Sequence, residues 1–356
     1  MTIHFCQDDW AGIRENYAAW WAGKLDRALL YLAGVTEDGG PATWSDWGHF
    51  MTDYPDDVPP AQIVRQYVAE QSNRRFLGDT FPSFFVNFGP GVVSAMLGAA
   101  LKSAPDTVWF EAIPGATVGN LKIAFDRGRW WQRVKSITQT AVEITGGLSQ
   151  IKHTDMGGIT DILASLVGTQ ELLFDLLDNP EKVTAQISAV RQAWFQVYDE
   201  LSAIIQPICP GTMPWAPTWA PGQTYILQSD FSYMISPEMF ARFVRPDLVA
   251  CCERIEYPFY HLDGVGELPH VDHLLSIPKL RGIQWIPGAG KPPATEWLDL
   301  LGRIRAGGKL QQIFADCDGI RAVCRALGGQ GFQFACYDPM TPSQAKAFIE
   351  EVQSLS

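Results

Sequence analysis

The sequence predicts an α/β protein: a single (β/α)8 TIM barrel with an elaborated N-terminal helical region, spanning residues 1–356. Three observations lead there. The C-terminal third repeats strand–helix units: strand 258–262, helix 267–275, strand 282–286, helix 294–306, strand 309–315, helix 318–327, strand 331–336, helix 342–354. Strands that alternate with helices pair in parallel through crossover helices. No linker interrupts the chain, and 356 residues that are 47% apolar suffice for one large core. No G-x-G-x-x-G follows any strand, which disfavours a doubly wound sheet.

The remaining elements follow in order. Trp10 to Leu25 reads as an amphipathic helix, and Leu29 to Ala33 as a short buried strand. A stretch at 34–60, dense in Gly, Pro and Asp, forms turns. Pro60 to Leu77 predicts a helix. Phe84 to Phe88 predicts a strand ending in Gly89-Pro90-Gly91, then a helix through about Leu101, then a strand DTVWFEA at 106–112. Trp131 to Thr145 is a predicted helix, Ile151 to Asp155 a strand, and Ile159 to Leu177 a helix. Pro180 sits in the first turn of a helix that runs to about Ile205. Residues 209–223 form a Pro-rich aromatic loop around PGTMPWAPTWAPGQ. Ser236 as cap and Pro237 at the first position start a helix over 237–254. Counted from residue 29, the strands number about eight.

A net charge of −12 and the lack of any Lys/Arg block argue against nucleic-acid binding. The charge also disfavours a strongly anionic substrate. No apolar run approaches the ~20 residues of a membrane helix. The start MTIHFCQDDW is polar and shows no signal-peptide pattern. Seven cysteines, an odd number without such a signal, predict reduced thiols and a cytoplasmic location. None shows C-x-x-C spacing, so most read as small buried apolar residues. Tryptophans recur in near pairs, such as Trp20-Trp21, Trp44/Trp47, Trp130-Trp131 and Trp215/Trp219. Packing explains most. Trp215 and Trp219, in a Pro-rich loop, are candidates to line a cleft for an apolar or methylated ligand.

Tyr260-His261-Leu262-Asp263-Gly264 is the richest local signal. Side chains two apart on a strand share a face, so His261 and Asp263 project together. Gly264 lets the chain turn sharply after them. The alternative is a strand cap, with Asp263 bonding the next turn. In a barrel, chemistry collects at the C-terminal strand ends. The polar residues expected there are Asn87, Asp155, Asp230, His261 with Asp263, Gln284 with Trp285, Asp316 with Cys317, and Cys336 with Asp338. Such a rim has the makings of a zinc or acid/base site. His270, near a helix start, is a candidate to face the cleft, whereas His273 reads as a packing residue. The loop Ile286 to Pro293 lacks a G-K-[ST] ending, and no G-x-S-x-G occurs, so neither a P-loop nor a serine hydrolase is supported.

These stretches together resemble the uroporphyrinogen decarboxylase superfamily, which includes the corrinoid:coenzyme M methyltransferases. The resemblance is greatest to a decarboxylase-like branch often given trimethylamine-corrinoid labels. It rests on TDMGGITDILASLVGTQELLFDLLDNPEKV, SDFSYMISPEMFARFVRPDL, FYHLDGVGELPHVDHLLSIPKLRGIQWIPGAG and FACYDPMTPSQAKAFIEEV, with the N-terminal ENYAAWWAGKLDRALLYLAG and LGDTFPSFFVNFGPGVVSAMLGAA, and so covers nearly the whole chain. It implies a (β/α)8 barrel. In the methyltransferases an H-x-C-G strand end and a later cysteine hold zinc. His261 matches that histidine, Asp263 stands in place of the first cysteine, and Cys336 falls near the second. Asp230 matches a carboxylate before the S-P-E helix. Carboxylate in place of thiolate makes a harder site, less suited to thiol methylation. The arginine-rich F-M-R-Q-A-G-R motif of the decarboxylases is absent, which argues against uroporphyrinogen as substrate.

The resemblance therefore implies a metal-dependent methyltransferase-like enzyme, acting between a small methylated compound and a corrinoid on a separate protein. His261, Asp263 and Cys336 are the expected ligands of zinc. Asp230, His261, Asp263 and Gln284 are the expected catalytic group. Trp215, Trp219, Trp285, Asn87 and His270 are expected to bind substrate. A metal-free decarboxylase or lyase using Asp230, His261 and Asp263 as acid and base is the second reading. A non-catalytic partner of a corrinoid protein is the third.

Overall fold

The computed structural model describes residues 3–42, 44, 48–105 and 107–355. Trp47, and Asp106 at the start of the predicted DTVWFEA strand, lie outside them. The strands are β1 (Leu29–Leu32), β2 (Ser83–Phe85), β3 (Ala100–Ala104), β4 (Thr107–Glu111), β5 (Gln150–Lys152), β6 (Thr224–Gln228), β7 (Tyr257–Asp263), β8 (Gly282–Ile286), β9 (Leu310–Phe314) and β10 (Phe332–Cys336). Six of them form a parallel sheet in the order β1-β10-β9-β8-β7-β6, so the first strand of the chain pairs with the last. β2 and β5 form a separate parallel pair, and β3 and β4 an antiparallel hairpin.

Eight strands thus lie in parallel pairings among the described residues, but not the eight expected. The DTVWFEA segment is β4, an arm of the hairpin, and the predicted helix tail at Leu101 is its partner β3. In exchange, β6 occupies a stretch that reads as irregular. Its apolar run TYILQ is short and follows a Pro/Gly-rich loop, where period and propensity carry little signal.

No ladder joins β1 to β2 or β5 to β6, so the expected closed barrel is not completed by strand pairing among the described residues. Other groups fill both seams. At the first, the Asp79 N–H donates to Leu30 O at 2.9 Å. Asp79 Oδ2 accepts from the Leu30 N–H at 2.9 Å, and Thr80 Oγ1 from the Leu32 N–H at 2.6 Å. Asp79 is fully buried and is paired with Arg27 through two nitrogens, at 2.7 and 2.9 Å. At the second, the 209–223 loop folds back on itself by a bridge between Thr212 and Ala220. Within it, Met213 O accepts from the His153 N–H at 2.9 Å. Side chains and loop carbonyls thereby take the place of ladder bonds, as buried backbone groups require.

The helices are α1 (Gln7–Trp21), α2 (Pro60–Glu70), α3 (Val93–Met96), α4 (Arg129–Thr145), α5 (Ile159–Val167), α6 (Thr169–Asp178), α7 (Pro180–Ile205), α8 (Pro237–Met239), α9 (Arg245–Arg254), α10 (Val271–Leu275), α11 (Leu298–Ala306), α12 (Cys317–Leu327) and α13 (Pro342–Ser354). The helix expected over 159–177 is broken by Gly168 at φ +99°, which separates α5 from α6. That expected over 237–254 carries a π-turn at Phe240–Val244, and the one at 267–275 begins as a 3-10 turn over Val265–His270. The Ser236 side chain does accept from the Met239 N–H, with Pro237 at the first position. No helix among the described residues is long and apolar enough to cross a membrane.

Register decides which side chains meet. Partners in a parallel ladder share a face, and neighbours along a strand face opposite ways. Gln228, His261, Gln284, Gln312 and Gln333 are register partners across β6, β7, β8, β9 and β10, and so form one row. His261 Nδ1 meets Gln284 Oε1 at 2.5 Å, and Gln284 Nε2 donates to Gln312 Oε1. Asp263, Ile286 and Phe314 lie two residues further on, on the same face. The other face carries Trp285 against Trp297 beside α11, and Cys336 against Cys317 of α12. Apolar residues from sheet and helices form one core, with Trp10, Trp20, Trp131, Trp194, Trp219 and Trp285 fully buried.

Candidate active site

A cavity of about 480 Å³ opens at the C-terminal ends of the strands. Asn87, Asp155, Gln228, Asp230, His261 and Asp263 line it, together with Phe50, Phe85, Trp215, Ile286 and Phe314. Polar groups thus gather on one side of an aromatic enclosure, the usual make-up of a small-ligand site. The cavity exists because β7 runs to Asp263 and then turns at Gly264, which has φ +78°. A side chain there would be strained and would crowd the Tyr233 ring.

Asp230, His261 and Asp263 bring one potential ligand atom each within 4.8 Å of one another. Gln284 accepts the His261 Nδ1–H, which leaves Nε2 as the ring's basic nitrogen. The Trp215 ring stands edge-on to the imidazole, with centroids 5.1 Å apart. Behind it, buried Lys152 donates from Nζ to Trp215 O at 3.4 Å and lies 5.7 Å from the centre of the Phe85 ring. Lys152 therefore ties the 209–223 loop to β5.

The acidic groups crowd one another. Asp230 has a solvent-exposed edge, yet reduced solvation, then Asp263 and Asp155, push its carboxyl up to about 7. Burial pushes Asp155 up to about 6, while the Gly157 N–H and His261 pull it back. Asp161, in the first turn of α5, accepts from the backbone N–H of Asp230 at 3.1 Å and of Phe231 at 2.7 Å. Burial and then Asp230 push it up to about 7. Glu267 is raised by burial and then by Asp230, and accepts from the Tyr260 hydroxyl at 2.9 Å. Such a cluster holds shared protons when alone and charge when a cation is present.

Of the expected site residues, Asp230, His261, Asp263, Trp215 and Asn87 line the cavity, and Gln284 lies directly beneath His261. Four expectations need correction. Cys336 does not join His261 and Asp263. It is three positions from Gln333, so it faces the helices, where it meets Cys317 and Asp338. Trp285 is one position from Gln284 and likewise faces outward. Trp219 packs against Trp10 and Tyr17 of α1, with its indole N–H donating to Pro210 O at 2.5 Å. His270 is buried behind the rim, stacked on Phe240 at 4.4 Å and bonded to Ser232 O at 2.9 Å. The structure adds Asp161 and Glu267 to the acidic cluster. An acid in the first turn of a helix is ordinary, so Asp161 carried no sequence signal.

No family model matches the sequence, and no curated protein matches it. A methyltransferase from Methanosarcina mazei has a similar structure, with a TM-score of 0.59 and 12% sequence identity over 96% of this chain and 98% of that one. At that identity the likeness is one of fold.

Proposed function

We propose that this chain is a methyltransferase-like enzyme that binds a small methylated compound in the 480 Å³ cavity, beside a divalent cation held by Asp230, His261 and Asp263. The carrying observation is the convergence of two carboxylates and an imidazole at the polar end of an aromatic cavity. The fold likeness to a methyltransferase supports the reaction class. In this reading the six-stranded and two-stranded sheets are one interrupted (β/α)8 barrel, since pairing of the first strand with the last is what closure requires.

The donor set suits a cation. Zinc accepts His and Asp ligands. Two crowded carboxyls, one pushed up to about 7, are relieved by a positive charge between them. When bound, the cation would act as a Lewis acid on the substrate's heteroatom. The remaining work falls to the protein. Gln284 fixes the His261 ring, Trp215, Phe85 and Phe314 exclude water and shape the apolar wall, and Asp155 and Asn87 orient polar substrate atoms. A corrinoid, as methyl donor or acceptor, would arrive on a separate protein at the cavity mouth.

The test is methyl transfer between small methylated compounds and a corrinoid, followed by the corrinoid's visible spectrum. Activity should vanish on chelation, return with the cation, and stay absent in His261→Ala. Turnover indifferent to chelation contradicts the reading. No methyl transfer at all, with chelator-resistant turnover of a small acid, would favour the metal-free lyase, which the raised Asp230 and Asp155 carboxyls support as acid and base.

A further inference from the structure

A second group of metal-type donors lies outside the cavity. Cys336 ends β10 with its side chain toward the helices. Cys317 is the first residue of α12, and Asp338 stands two residues beyond the strand. The two sulfurs are 3.9 Å apart, and one ligand atom from each of the three residues falls within 4.8 Å of the others. Asp338 Oδ2 accepts from the Cys317 N–H at 2.8 Å, which fixes the carboxylate against the helix start. The start of α12 and the end of β10 with its following loop converge here, with Cys336 buried and Cys317 half-buried.

The spacing is informative. Two thiolates on one tetrahedral zinc, with Zn–S of about 2.3 Å, stand about 3.8 Å apart. A disulfide needs sulfurs at about 2.05 Å, so this pair would have to close by nearly half its separation. A cavity of about 420 Å³ is lined by Cys317 and Asp338 together with Arg321 of α12 and Gln344 of α13. The cluster therefore presents three protein donors and one open direction.

We infer that Cys317, Cys336 and Asp338 form a second cation site, of the zinc class, with a fourth position open to this cavity. Two sulfur donors select zinc or a similarly soft ion over magnesium or calcium. Binding releases both thiol protons to solvent and leaves the site, with two thiolates and one carboxylate around a divalent ion, at one net negative charge. Arg321 borders the cavity and offsets that charge, although Asp318 at 2.8 Å and Glu351 at 2.9 Å already share it. The site is independent of the Asp230–His261–Asp263 group, because Cys336 and His261 face opposite sides of the sheet.

Cobalt(II) added to the chelator-treated full chain, with a non-thiol reductant, separates the two groups. Thiolate ligation produces an intense near-ultraviolet charge-transfer band, which an Asp/His/Asp site cannot give. The band should persist in His261→Ala, where the other cation site is disabled, and saturate there at one equivalent. It should disappear in Cys317→Ser, and far-UV circular dichroism checks that variant's fold. Asp338→Asn, a loop substitution that leaves both thiols in place, should retain the band while cobalt affinity falls roughly tenfold or more. A reduced, folded wild-type chain without the band overturns the inference, as does a band that survives Cys317→Ser. Thiol counting that finds Cys317 and Cys336 oxidised together, with no band after reduction, overturns it too and makes the pair a redox couple.

Discussion

Gln284 offers a sharp test, because the structure assigns it one task toward the site. It is fully buried, its Oε1 accepts from His261 Nδ1 at 2.5 Å, and its Nε2 donates to Gln312 Oε1. Gln284→Leu keeps the volume and removes both bonds. Two polar groups are then left without partners, at about 1–3 kcal/mol each, so stability to urea should fall by roughly 2–6 kcal/mol. The His261 ring also loses the contact that sets its tautomer. Loss of such an outer partner weakens cation binding by about 10–100-fold, or ~1.4–2.7 kcal/mol. Gln284→Glu should act the other way. Its carboxylate holds the Nδ1–H more strongly, and Gln312 can rotate its amide to donate, since its Nε2 has no hydrogen-bond partner among the described residues. Zinc titration by calorimetry on chelator-treated protein measures all three chains. The expected order of affinity is Glu at least equal to Gln, and both well above Leu. Equal affinity of Leu and wild type, with the fold intact, refutes the assignment.

Three further outcomes follow. Asp79→Ala should destabilise the chain by about 3–5 kcal/mol in urea unfolding, because it strips half-buried Arg27 and the buried Leu30 N–H of their partner; a loss below ~1 kcal/mol contradicts the role given to the β1–β2 seam. The raised Asp230 and Asp161 carboxyls bind protons in the folded chain that the unfolded chain releases near pH 4. Their protonation thus stabilises the fold at low pH, and this support is lost as pH rises towards about 7. Buried His153, lowered to about 4, acts in the opposite sense, so the slope is read as wild type minus Asp230→Asn in cation-free protein. Because Asn stays neutral throughout, the melting temperature of wild type minus that of the variant should fall, becoming more negative, as pH rises from about 4 to about 7, and a pH-independent difference contradicts the shift. Lastly, Trp285→Phe should leave ligand affinity in the cavity unchanged while lowering stability, because its ring packs on Trp297, not on the cavity; a selective loss of binding contradicts the register.

The site was partly legible in the sequence for a definite reason. On β7 the chemistry lies in a period-two pair that stops at a glycine, so His261 and Asp263 could be placed on one face without a structure. On β8 and β10 the same logic needs the phase, and the phase is hidden. GIQWI and FQFAC are buried on both faces, as parallel strands between layers are, so no polar alternation marks the inner side. Without that mark the sequence reading puts Trp285 and Cys336 on the inner side, whereas both face the helices. In the 209–223 loop no period applies at all. Trp215 reaches the cavity and Trp219 the α1 interface, within a loop that folds back on itself at the Thr212–Ala220 bridge. The fold shows the same pattern. Strands between clear helices were found, whereas β6 and the β3–β4 hairpin depend on tertiary pairing that short apolar runs do not announce. Asp161 and Glu267 matter only because folding brings them near Asp230.

The central claim is that Asp230, His261 and Asp263 hold one cation. Zinc stoichiometry of chelator-treated wild type, His261→Ala and Asp263→Ala, measured by calorimetry at neutral pH, tests it most directly. The account expects each variant to lose one equivalent relative to wild type while any other site remains filled. Variants that bind the same number of zinc ions with the same affinity as wild type contradict it.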